Sequence, residues 1–267
     1  MVLAGVLHML HAPAVAQMVP AWIPWRLFWA YICGACLIAS GLSFLAQRYT
    51  RLAAYLLGFM LLLFVLLIHV PSLYHSIMLF PDHFRELWSY DGTGGINNAL
   101  KDLALTAAAM LLGAICSKKE REPRQQALVT IPAAVFAAVL ILFGAEHFFY
   151  TRYTPAIPTW QLVTFWYPWL AFWGYCTGAV LLVGGVSLLT GKRGVLTAGV
   201  LGWMILVVAV ISYAFRALAG QGSVGELMNT AKDIGVGGGV FLFAILPGGQ
   251  KPANQEPKTV EANALMS

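Results

Sequence analysis

Charge is the scarcest property of this chain. Of its 267 residues, 16 are Lys or Arg and 11 are Asp or Glu, 10% in all. A soluble domain averages about 25%, so a soluble globular class is excluded. Cysteine is scarce as well. Cys33, Cys36, Cys116 and Cys176 are too few for a disulfide framework, and all lie in apolar stretches. There is no Ser/His/Asp arrangement and no dinucleotide fingerprint. Asp91-Gly-Thr-Gly-Gly reads as a flexible turn, because it lacks the strand–loop–helix context and the Lys-Ser/Thr pair of a phosphate loop. The N-terminus lacks a basic n-region, so no cleavable signal peptide is expected. The basic residues are spread over short loops, which argues against a nucleic-acid partner.

Apolar residues fill the gap. They make up 60% of the chain, and the mean hydropathy is +0.75. A membrane-spanning helix needs about 20 predominantly apolar residues. Seven segments meet that length: Trp25 to Ala46, Leu52 to Val70, Ile96 to Cys116, Leu128 to Phe149, Phe165 to Leu189, Val195 to Phe215 and Leu227 to Leu246. An eighth, Met1 to His11, is half as long. The chain reads as an all-α polytopic membrane protein in a lipid bilayer.

The sequence also repeats itself. Phe28-Trp29-Ala-Tyr31-Ile-Cys-Gly34-Ala35-Cys-Leu37 and its continuation to Leu45 return 144 residues later, as Phe172-Trp173-Gly-Tyr175-Cys-Thr-Gly178-Ala179-Val-Leu181 and onward to Leu189. Nine positions match without a gap. Gly58-Phe-Met60 aligns with Gly202-Trp-Met204 at the same offset, and Asn98-Ala-Leu-Lys101-Asp102 aligns with Asn229-Thr-Ala-Lys232-Asp233. Gly5-Val-Leu-His8 resembles Gly144-Ala-Glu-His147, and each is followed by a turn bearing Pro and Trp. The pattern predicts two parallel four-helix bundle repeats of about eight helices, with the first one short. The expected units are 1–117 and 127–247, followed by a polar, disordered tail over 248–267. The short first helix is expected to reflect a late start or a genuine truncation.

The charges fit an even helix count in each unit. Arg48 and Arg51, the cluster Lys118, Lys119, Arg121 and Arg124, Lys192 and Arg193, and the tail Lys251 and Lys258 fall on one side, ten of sixteen in all. The positive-inside rule assigns that side and both termini to the cytoplasm. Trp22, Trp25 and Trp29 mark one membrane mouth, and Trp160, Trp166, Trp169 and Trp173 mark its counterpart. The segment Pro71 to Gly95 reads as the longest outer loop.

Few residues can carry chemistry. Ionisable groups inside a span are costly and need partners. Lys101-Asp102 and Lys232-Asp233 are adjacent pairs, about 100° apart on a helix, so each needs partners from other helices. They read as structural anchors or as part of a polar pocket. His8 and Glu146-His147 sit near the outer end of the first helix of each unit, where His is either interfacial or a proton relay. These seven residues share one membrane level and are expected to meet in one pocket per unit. Cys33-Gly-Ala-Cys36 puts two thiols on one helix face, but the second copy carries Thr177 and Val180 there. Small residues packed between membrane helices are the simpler reading. His69, His75 and His83 have no zinc spacing, so no metal is expected. The run Gly235, Gly237, Gly238 and Gly239 suits close helix approach.

Taken together, Gly-x-x-His, Val19-Pro20-Ala-Trp22-Ile-Pro24, Phe28 to Gly41 and Lys101-Asp102-Leu-Ala-Leu105 resemble the DoxX family of small four-helix bacterial membrane proteins. The second unit supplies Gly144-Ala-Glu-His147-Phe148, Phe172 to Gly185 and Lys232-Asp233. The resemblance implies an inner-membrane location. It also implies a role as a membrane subunit of a quinone-linked, thiol- or thiosulfate-type redox complex, with a quinone and a redox partner protein. A non-enzymatic scaffold or a carrier of small solutes or lipid is the alternative. The family brings no agreed catalytic residues.

Overall fold

A computed structural model describes residues 1–79, 95–117, 123–150, 169–191, 194–218, 220 and 224–246. Every regular element among them is helical. In chain order these are α1 (Val2–Leu10), α2 (Ala12–Ala16), α3 (Arg26–Leu45), α4 (Thr50–Phe64), a π-helical turn (Val65–His69), α5 (Val70–Leu79), α6 (Ile96–Ile115), α7 (Pro123–Phe149), α8 (Leu170–Leu189), α9 (Gly194–Leu218), α10 (Val224–Val240) and a closing 3-10 turn (Phe241–Ile245).

Six of the described helical stretches are long and apolar enough to cross a membrane: Arg26–Leu45, Thr50–Met78, Ile96–Ile115, Gln126–Phe149, Leu170–Leu189 and Gly194–Ala214. Large apolar side chains such as Leu42, Phe59, Val183 and Trp203 stand exposed on their outer faces. Such an apolar surface suits lipid, not water. The protein is an all-α polytopic membrane protein.

Two expectations change. The seventh expected span is α10, which has 17 residues before the 3-10 turn takes over. It carries Glu226, Lys232 and Asp233, so it is shorter and more polar than its neighbours. The expected loop from Pro71 is also helical as far as Leu79. Pro71 has no N–H for the preceding turn, and its ring crowds the carbonyl four residues back. The π turn just upstream widens the ladder where that conflict falls, so the chain stays helical. Its last residue, His69, is turned inward and buried. The remainder of that loop with His83, much of the basic cluster, Trp160 and Trp166, and the tail lie outside the described residues.

α6 is the central helix. Some 67% of its most apolar window is buried, against 28–39% in the other five, and it packs on α4, α7 and α10. One continuous core runs through the molecule, with Leu61 of α4, Leu105 of α6, Phe136 and Phe143 of α7, Leu181 of α8 and Ile205 of α9.

Two close crossings resemble each other. α1 packs on α3, and α7 packs on α8. A Cβ added to Gly5 would lie 2.6 Å from Gly34 O, and one added to Gly144 would lie 2.9 Å from Gly178 O. Only glycine allows the backbones this near. One turn later each histidine rests against the opposing glycine: a Cβ on Gly34 would meet His8 Cβ at 3.1 Å, and one on Gly178 would meet His147 Cβ at 2.7 Å. Trp25 and Trp169, which precede α3 and α8, share left-handed backbone with φ of 55° and 54°. The ring pairs Phe28–Trp29 and Phe172–Trp173 are both edge-on, with centroids 5.4 and 5.3 Å apart.

Candidate functional site: exchanged ion pairs beside a cavity

Consecutive residues on α6 face different neighbours, which separates Lys101 from Asp102. Lys101 Nζ lies 2.7 Å from Asp233 Oδ1 on α10, and Lys232 Nζ of α10 lies 2.8 Å from Asp102 Oδ1. Each Lys-Asp dipeptide pairs with the other one. The exchange satisfies all four charges, whereas a Lys and Asp adjacent in sequence point ~100° apart and cannot both turn to the same partner. Asp102 gains a second contact. His69, delivered by the π turn, lies with Nε2 2.9 Å from Asp102 Oδ2. Because a carboxylate only accepts, Nε2 carries the donated proton.

The two ion pairs differ in access. The Lys101 and Asp233 side chains are each 4% exposed, while Lys232 is 27% exposed. The sealed pair is a brace between α6 and α10. The open one borders a partly open cavity of about 220 Å³. The polar groups on the cavity wall are His8, His69, Asn98, Asp102, Asn229 and Lys232. The rest of the wall is mainly apolar, including Leu37, Leu61, Phe64 and Ile68.

The other expected site residues divide. His8 Nδ1 donates to Ala4 O at 2.8 Å, and His147 Nδ1 donates to Phe143 O at 2.7 Å. Both rings are therefore held in one orientation by their own helix. His8 lines the cavity; His147 is fully buried and does not. Glu146 is buried too and accepts a hydrogen bond from Asn97 Nδ2 at 2.7 Å, which ties α7 to α6. The pocket expected in each unit thus takes another form: the four Lys and Asp residues make one network across both halves, and the cavity gathers His8, Asp102 and Lys232 but neither Glu146 nor His147.

Sequence reasoning passed over His69 and the asparagines Asn97, Asn98 and Asn229 as site residues. Asn98 and Asn229 occupy matched positions in the repeat, which was a usable signal. His69 has no such twin: 144 residues on stands Tyr213. Cys33 is half-buried beside the cavity, Cys36 is exposed, and neither is in a disulfide. Among the described residues no cluster of three His, Cys, Asp or Glu side chains is suited to a metal ion.

No family model, characterised protein or solved structure matches the chain.

Proposed function

We propose that this is a DoxX-like inner-membrane protein made of two like four-helix units, and that its cavity binds the head of a quinone-class molecule for a membrane redox complex. One observation carries the reading: a hydrogen-bonding trio, His69, Asp102 and Lys232, stands on the wall of an otherwise mainly apolar cavity. A quinone head needs an apolar slot with a donor placed for a carbonyl oxygen, and here the Lys232 ammonium is that donor. Lys232 is the accessible cation, and His8 and Asn229 add polar contacts. Asp102 holds His69 and Lys232 in place by pairing with both. When bound, a quinone supplies two-electron, two-proton carrier chemistry, and the residues here orient it and exclude water.

The duplicated-unit reading draws support from the matched geometry of the two halves. The Gly5–Gly34 and Gly144–Gly178 crossings, the left-handed Trp25 and Trp169, and the exchanged Lys-Asp pairs all recur at corresponding positions.

The test uses purified protein in lipid nanodiscs. Quenching of tryptophan fluorescence, with Trp29 on the cavity wall, reports binding of a benzoquinone analogue. Lys232→Met is expected to weaken binding about tenfold or more, the loss of one hydrogen bond from a charged group. Asp102→Asn and His69→Phe are expected to weaken it severalfold by freeing Lys232 from its position. Quinone reduction with thiosulfate or thiol donors then tests the redox role. Phospholipid retained in the cavity, with no quinone binding, would favour the carrier reading instead.

A further inference from the structure

The cavity adjoins a second space. This larger space, of about 1090 Å³, lies along the outer faces of α3 and α4 and opens outward, where lipid would lie. It runs past Cys36, Ser40 and Ser43 on α3 and past Ala53, Leu56 and Met60 on α4, down to Arg48 and Tyr49. Five residues, Val19, Trp29, Cys33, Phe64 and Ile68, line both this groove and the cavity. These five shared residues mark the neck where the cavity with its polar groups adjoins the apolar, lipid-facing groove.

We propose that the ligand enters sideways from the bilayer through this neck, and that its hydrocarbon tail remains in the α3–α4 groove while its head sits by His69, Asp102 and Lys232. This rests on the quinone-class reading of the cavity. The shapes divide the work. The chamber is too small for a long isoprenoid or acyl chain as well as a head, while the groove is apolar, several times larger and adjoins it across five shared residues. The occupant of the groove is therefore the tail of the molecule whose head fills the cavity. The two native thiols mark the parts: Cys33 lies at the neck, and Cys36, one turn further along α3, lines the groove alone.

The experiment is a thiol footprint on the full-length protein in nanodiscs. A small uncharged maleimide labels Cys33 and Cys36, and mass spectrometry reads each rate, with Cys116 as the unaffected reference. A decyl-tailed benzoquinone is expected to slow labelling of both Cys33 and Cys36 at least fivefold. A tailless benzoquinone at saturating concentration is expected to slow Cys33 and leave Cys36 unchanged. Cys36→Trp, which fills the groove at an exposed position, is expected to slow association of the decyl compound about tenfold without lowering thermal stability. If the decyl compound binds by fluorescence yet Cys36 labels as fast as in ligand-free protein, the groove assignment is wrong while the cavity reading stands. If neither compound binds by fluorescence, the cavity reading fails and the groove proposal falls with it.

Discussion

Lys101 of α6 and Asp233 of α10 form an ion pair 2.7 Å long, in which each side chain is 4% exposed. Its mirror, Lys232 with Asp102, joins the same two helices in the reverse sense. Two opposed pairs fix both the distance and the axial register of α6 against α10, because sliding either helix by one residue would break both at once.

The sealed pair should behave as a unit. Removing one partner strands a buried charge, which costs about 3–5 kcal/mol, whereas replacing both with apolar groups of similar size is close to neutral. Lys101→Met and Asp233→Leu should each lower the melting temperature in detergent strongly. The double variant should recover most of the loss. Additive losses in the double-mutant cycle would show that the two side chains do not depend on each other.

The helix crossings give a second contrast. At Gly144 a Cβ would stand 2.7 Å from Leu182 N and 2.9 Å from Gly178 O, both backbone atoms that cannot rotate away. Gly144→Ala should cost about 1–3 kcal/mol, the range for overpacking a tight contact. At Gly174 a Cβ meets nothing within 4 Å. Gly174→Ala should be neutral or stabilising by up to about 1 kcal/mol, through the lower entropy of the unfolded chain. Thermal melts of the two variants side by side test the pair of signs.

Much of this arrangement was legible beforehand, for a physical reason. Lipid leaves backbone groups only helical solutions, so the apolar segments located most span boundaries to within a few residues. The repeat singled out both Lys-Asp pairs, and adjacency alone showed that neither could be satisfied within its own dipeptide. Who partners whom was not legible, since helix rotation decides whether Lys101 meets Asp233 or a nearer acid. His69 was hidden more deeply. Its inward aim depends on a π turn, and Pro71 had read as the start of a loop. Residues held by a local irregularity do not follow a 3.6-residue period, so pattern reading misses them.

The two matched histidines should separate on mutation. His147 is fully buried and bonded to Phe143 O. His147→Ala should cost about 2–5 kcal/mol through the cavity it leaves, and any loss of ligand binding should track the loss of fold. His8 borders the cavity. His8→Phe should shift the melting temperature little and weaken binding of the tailless benzoquinone severalfold. Equal effects of the two variants on stability and binding would contradict this division.

Orientation in the membrane is open to a direct measurement. Arg48 and Arg51 lie between α3 and α4 and at the start of α4, and Ser117 ends the described stretch before the basic cluster at 118–124. Lys and Arg near helix ends are retained on the cytoplasmic side, so these turns and the C-terminal tail should lie there together. Green fluorescent protein fused after Ser117 or Ser267 should fluoresce, and alkaline phosphatase fused at the same points should be inactive. Neutralising Arg48 and Arg51 alone should leave the orientation unchanged, because the remaining eight basic residues of that side still outnumber those opposite. Phosphatase activity at Ser267 in the unaltered chain would reverse the assignment, and activity at only one of the two points would mean an odd number of crossings between them.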